Sequence, residues 1–126
     1  MNKAVYDTRF FAELFYSTTE SFHKRILQQK SKNRFTSAVV IHEIYRLALK
    51  REGRETAKLK AALIQKDFKI VPVDEQMAQL SAELRHKYNL SMGDSIIAAT
   101  AASLSAVCIT DDPHFKQVKE IKTEWI

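Results

Sequence analysis

Short apolar, β-branched runs alternate with helical stretches along this chain, and that alternation restricts the fold more than any other feature of the sequence. Residues 3–7 (KAVYD), 35–39 (FTSAV), 69–73 (KIVPV), 106–110 (AVCIT) and, more weakly, 121–125 read as strands. Helical patterns run between them over about 9–30 (one helix or two), 40–52, 54–66, 74–88 and 93–104. In the stretch 74–88, Met77, Leu80, Leu84 and Tyr88 recur at helical spacing behind Asp74, a good N-cap. Strands alternating with helices predict an α/β domain with a mainly parallel sheet. In such sheets the carboxyl ends of the strands form the crevice where ligands bind.

With 126 residues, 45% of them hydrophobic, the chain can bury a core of its own, and it is read as a single domain over 1–126. Only two glycines and two prolines interrupt it, and neither a linker nor an internal repeat is evident. The net charge of +5, from 20 Lys and Arg against 15 Asp and Glu, suits a polyanionic substrate. A merely solubilising surface would give the same balance. The single cysteine, Cys108, excludes an intrachain disulfide and a Cys-rich zinc site, and its apolar setting AVCIT points to a buried, inert thiol. The start MNKAVYDTRFF lacks a signal-peptide core, and no stretch approaches the roughly 20 apolar residues of a membrane span. A cytoplasmic protein with no membrane attachment is expected.

Four acidic residues lie where apolar segments start or stop: Asp7 in AVYDT, Glu43 in VIHEIYRLAL, Asp94 in MGDSIIAATA and Asp112 in CITDDPHF. Each has an ordinary local explanation. Asp7 can cap the helix that follows it. Glu43 sits at the rim of an apolar arc (Val40, Ile41, Ile44, Tyr45, Ala48) and could pair with Arg46. Asp94 follows Ser91 at capping-box spacing, in a first turn that favours an acid. Either Asp111 or Asp112 could serve after AVCIT, with Pro113 beginning a helical turn. The helix IIAATAASL is less bland: it is apolar almost all round, so it should be buried and deliver Asp94 into the protein.

The joint reading is stronger than the single ones, because one α/β topology would bring all four acids to the same crevice. Carboxylates that repel one another in one pocket need a cation, and a hard divalent ion such as Mg²⁺ or Mn²⁺ is the usual one. That is the chemistry of metal-assisted phosphodiester hydrolysis. His23, His42, His86 and His114 make no metal-ligand spacing, and His42 and His114 merely neighbour acids. No GxSxG, P-loop or GxGxxG supports another chemistry. The basic stretches Lys24–Arg34 and Arg46–Lys60 could line a nucleic-acid path, although solvated helix faces account for them as well.

These motifs resemble the PIN domains, and more narrowly the VapC ribonuclease toxins of prokaryotic toxin–antitoxin pairs. The resemblance rests on the opening strand with Asp7-Thr8, on Glu43 in HEIYRLAL, on Gly93-Asp94-Ser95 followed by IIAATA, and on the closing ITDDPHF. It extends over essentially the whole chain. In the closing motif the family pattern of threonine, any residue, aspartate, two residues, phenylalanine selects Asp112 over Asp111. The resemblance implies a parallel five-stranded sheet flanked by helices, cleavage of RNA dependent on Mg²⁺ or Mn²⁺, frequent homodimers and inhibition by a small antitoxin.

On that basis Asp7 and Asp94 are expected to be the best metal ligands. Asp112 would complete the site directly or through water, and Glu43 would bind metal or orient the attacking water. Thr8 and Thr110 would support these acids by hydrogen bonds. The chain departs from the family pattern in the bulky Arg9-Phe10-Phe11 after Asp7-Thr8. It departs again in His114, where many relatives carry another acid, which implies a weaker second metal. Two rival readings are a PIN nuclease of RNA processing or decay without an antitoxin, and a catalytically inactive PIN binding module. The intact four acids speak against the second.

Overall fold

The computed structural model describes residues 2–28 and 33–126. Strand β1 (Lys3–Tyr6) leads into α1 (Thr8–Tyr16) and α2 (Glu20–Gln28), and β2 (Asn33–Ser37) leads into α3 (Ala38–Arg51) and α4 (Arg54–Asp67). After β3 (Lys69–Val71) come α5 (Glu75–Tyr88) and α6 (Met92–Leu104). Strand β4 (Val107–Ile109), a 3₁₀ turn (Pro113–Gln117) and β5 (Thr123–Glu124) complete the order. The sheet runs β3-β2-β1-β4-β5, and every pairing in it is parallel. The α/β architecture read from the alternation is therefore the one observed, with a sheet parallel throughout.

Element boundaries differ from the sequence expectation for local reasons. The second strand ends at Ser37, two residues early, because the Ser37 hydroxyl accepts the Val39 N–H at 3.1 Å and starts α3 there. Pro72, which has no N–H to donate, stops β3 at Val71. The stretch 9–30 is two helices, and its last two residues lie outside the described ones.

The core explains the bulky residues of α1. Phe10 and Phe11 are both buried, and with Tyr6 and Phe68 they form an edge-to-face cluster with ring centroids 4.6–6.1 Å apart. Such pairs add roughly 0.5–1.5 kcal/mol each beyond the area they bury. Helix α6 is buried along its length from Ser95 to Ala101, as its small apolar residues require. Its Thr100 hydroxyl is satisfied within the helix by the Ile96 carbonyl at 2.7 Å.

The register aligns the strand ends that matter. Tyr6 pairs with Ile109, so Asp7 and Thr110 follow side by side, and the Asp7 N–H bonds the Ile109 carbonyl at 3.2 Å. Buried Thr36 donates to the Tyr6 carbonyl at 2.7 Å and ties β2 to the same edge.

Cys108 lies in β4 with no exposed surface, and burial pushes its thiol pKa well up. A thiol reagent should therefore label the native protein no faster than it unfolds globally, with labelling accelerating as urea is raised. Rapid labelling in the absence of denaturant would contradict this packing of β4.

Candidate active site

Asp7 follows β1 and is only 3% exposed. Its Oδ1 accepts the Phe10 N–H at 3.1 Å, capping α1, and its Oδ2 accepts the Thr110 hydroxyl at 2.5 Å. The Thr110 Oγ1 in turn accepts the Asp112 N–H at 3.0 Å. A relay of hydrogen bonds thus links the ends of β1 and β4 and sets the turn that carries Asp112. Burial raises the Asp7 pKa to about 6. The two hydrogen bonds oppose that rise, while the charges of Asp111 and Asp94 add to it.

Glu43 is half-buried on α3, and its Oε1 accepts the Thr8 hydroxyl at 2.5 Å. A Cβ on Gly93 would meet its Oε2 at 2.9 Å, a distance that real Cβ contacts avoid. Glycine at 93 therefore lets α3 bring a carboxylate against the first turn of α6, beside Asp94. The Asp94 N–H is capped by Ser91 Oγ at 3.2 Å. Burial again raises the Asp94 pKa, with Asp112 and Glu43 adding repulsion and His114 partly offsetting it.

Among the described residues, Asp94, Asp112 and His114 form a candidate donor set whose ligand atoms all lie within 4.8 Å of one another. Asp7 and Glu43 stand outside this set. Asp7 connects to it through Thr110, and Glu43 borders it across Gly93. His114 corrects the sequence expectation that it merely neighbours an acid: its Nδ1 lies 2.7 Å from Asp112 Oδ1, which also accepts the His114 N–H at 2.9 Å. The signal was present, an i, i+2 spacing across Pro113 in a one-turn helix, but such a spacing is common without consequence.

Asp111 turns outward and is gripped by Arg9, whose Nε donates to Oδ1 at 2.6 Å and whose second guanidinium nitrogen reaches Oδ2 at 3.1 Å. The pair is exposed, so it adds little stability, but its fork pins the turn between Thr110 and Asp112 from the solvent side. No local pattern could have joined residues so far apart in sequence.

Of the two basic stretches, Lys24–Arg34 lies partly outside the described residues. Within Arg46–Lys60, Lys60 turns inward, bonds Glu52 at 2.5 Å and sits 3.8 Å from the Tyr16 ring centroid. Arg46 and Lys50 stay outside. With Glu43, Leu47 and Leu49 they line an open groove of about 600 Å³ along α3.

The sequence profile of the PIN domain matches residues 4–121. Among solved structures, the chain is similar to DNA-bound VapBC from Salmonella typhimurium, at 20% identity over 99% of this chain and 98% of that one, with a TM-score of 0.82. It is similar to a toxin–antitoxin complex from Klebsiella pneumoniae, at 25% identity over 98% and 99% of the two chains, with a TM-score of 0.75. It is also similar to VapC20 from Mycobacterium tuberculosis, a toxin that cleaves the sarcin–ricin loop, at 20% identity over 94% and 98%, with a TM-score of 0.78. No curated protein sequence matches it significantly.

The raised Asp7 pKa gives a signed stability effect. Between the ordinary carboxylate value of 3.8 and about 6, the folded protein holds a proton that the unfolded chain releases. Stability of the metal-free protein therefore falls as pH rises through that window, and above it a penalty of about 3 kcal/mol is fully present. Urea melts should find metal-free Asp7→Asn more stable than wild type at pH 8 and nearly equal to it at pH 4. A variant less stable than wild type at pH 8 would mean that the carboxylate serves α1 and Thr110 more than it strains the fold.

Proposed function

The chain belongs to the PIN-domain family, and from that premise we propose that it is a Mg²⁺- or Mn²⁺-dependent endoribonuclease, the toxin of a type II toxin–antitoxin pair. The observation that carries this reading is that Asp7, Glu43, Asp94 and Asp112 lie around the carboxyl ends of β1 and β4, where burial first, and repulsion from neighbouring acids second, raises the pKa values of Asp7 and Asp94. The donor set suits a hard divalent cation: carboxylate oxygens dominate it, and three candidate ligand atoms lie within 4.8 Å of one another. Asp94 and Asp112 would hold the metal, with Asp7 acting on it directly or through water. A divalent ion there supplies a Lewis acid that lowers the pKa of water and offsets phosphate charge.

The chain's own residues do the rest. Thr8 fixes Glu43 through Oε1 and leaves Oε2 turned toward the first turn of α6, where it orients the attacking water. Thr110 holds Asp7 and, through its oxygen, the Asp112 backbone, so both carboxylates keep their places as the phosphate arrives. Arg46 and Lys50 offer positive charge beside Glu43 along the α3 groove, a path that suits an RNA backbone.

The toxin reading draws on the solved neighbours, which include toxin–antitoxin complexes and a toxin that cleaves the sarcin–ricin loop. An antitoxin partner is proposed from the same likeness, and a homodimer from the family resemblance. Among the described residues no helix is long and apolar enough to cross a membrane, and action in the cytoplasm is part of the proposal. One five-stranded sheet holds both the first strand, β1, and the last, β5, with β4 between them, which supports reading 1–126 as a single PIN domain. A PIN nuclease of RNA maturation is the alternative that the experiments below separate.

Cleavage of single-stranded RNA should stop in EDTA and return with Mn²⁺. Asp94→Asn should lower it by on the order of a hundredfold or more, while the metal-free variant melts no lower than wild type. Undiminished activity in EDTA sinks the mechanism, and an active but much less stable Asp94→Asn would make Asp94 a structural cap.

Asp112→Asn should cost far more activity than Asp111→Asn, because Asp112 lies in the donor set with Asp94 whereas Asp111 is held on the solvent side by Arg9. Equal losses would mean that both act at the phosphate.

Induced expression alone should arrest growth, and co-expression of a small neighbouring gene should relieve it. A harmless wild-type chain that co-purifies with no small protein would transfer the assignment to RNA processing.

A further inference from the structure

We propose that His114 is a metal ligand of this site, and that its nitrogen makes the site prefer Mn²⁺ to Mg²⁺. The inference deepens the nuclease reading and rests on it only for the presence of a divalent ion.

The placement of the ring is specified rather than incidental. Pro113 opens the 3₁₀ turn behind the Asp112 cap, and buried Phe115 anchors that turn in the core. Between these fixed points His114 projects back over Asp112, with Nδ1 2.7 Å from Oδ1. Its side chain is 69% exposed, so the ring can shift without disturbing the core.

An imidazole beside a metal carboxylate can play two roles. It can hydrogen-bond the carboxylate from outside and merely orient it. Alternatively it can give its own nitrogen to the ion. An orienting ring needs to approach only the acid it steadies. Here the ligand atom of His114 is close to Asp94 as well as to Asp112, all within 4.8 Å. Donor atoms that share one ion of this size lie about 3–4 Å from one another, so the three side chains would draw together to seat one cation. The hydrogen bond between His114 and Asp112 is then exchanged for a shared ion.

The metal preference follows from donor chemistry. Mg²⁺ takes oxygen ligands and gives up its waters reluctantly, and a nitrogen offers it little. Mn²⁺ stands at the low end of the first-row transition-metal affinity series, but it is softer than Mg²⁺ and accepts imidazole alongside carboxylates more readily than Mg²⁺ does. An acid at this position would give an all-oxygen site suited to either ion. Histidine tilts it.

Pulsed electron paramagnetic resonance of Mn²⁺ bound to the untagged protein tests the ligand directly. Spin-echo modulation from a directly bound imidazole ¹⁴N should be present in wild type and lost in both His114→Asp and His114→Gln. Calorimetric titration with each metal alone should find that the wild-type preference for Mn²⁺ over Mg²⁺ shrinks in His114→Asp by roughly tenfold, the scale on which metal-site partners act. Wild-type protein that binds Mn²⁺ without ¹⁴N modulation, or that binds no Mn²⁺ at all, overturns the proposal. Modulation that survives in both variants overturns it too, because the nitrogen would come from another residue. If modulation depends on His114 but the Mn²⁺-loaded protein cuts no RNA, the ligand assignment stands and the nuclease reading is the one that falls.

Discussion

A carboxylate almost removed from water sits at the junction of β1, α1 and β4, and most of the site's geometry follows from how that one group is satisfied. Asp7 spends one oxygen on the Phe10 N–H, which starts α1, and the other on Thr110, which fixes the end of β4. Those bonds locate the group without removing the penalty of its burial, and its pKa remains raised to about 6. A fold seeking stability alone would place an asparagine or serine there, because either can cap a helix without carrying charge. Retaining the charge makes sense where a cation completes the pocket, and the same holds for Asp94 beside Asp112 and Glu43.

The supporting groups divide the work by kind of interaction. Thr8 and Thr110 are hydroxyl donors that hold Glu43 and Asp7 without adding charge to a pocket that already has an excess of it. Arg9, at the mouth of the crevice, is held by Asp111 on its solvent side. Gly93 acts by absence: removing a Cβ lets Glu43 reach the head of α6. The aromatic cluster of Tyr6, Phe10, Phe11 and Phe68 holds α1 against the sheet and so keeps Thr8 and Arg9 in place.

What the sequence made legible was periodic or terminal. Alternating β-branched runs and helical patterns imply the parallel sheet, and each of the four acids could be noticed because it stands where an apolar segment begins or stops. The family likeness, rather than any spacing, chose between Asp111 and Asp112. What stayed hidden was long-range or one residue deep. Glu43 has an obvious local partner in Arg46, yet its hydroxyl donor is Thr8, brought close because β2 pairs with β1. Arg9 read as a bulky departure until its fork with Asp111 was seen across the chain. Ser37 shifted a strand end by acting as a cap, and His114 gained meaning only once the 3₁₀ turn folded it over Asp112.

The central claim is that a divalent cation relieves the strain these carboxylates impose, and a melting-temperature titration with Mn²⁺ at pH 8 tests it most directly. An ion that binds only the folded state raises stability as its concentration passes its dissociation constant. The wild-type melting temperature should climb steadily with Mn²⁺, while Asp94→Asn starts at or above the metal-free wild type and stays nearly flat. A flat wild-type response, or an equal rise in both proteins, would show that the four acids hold no common ion.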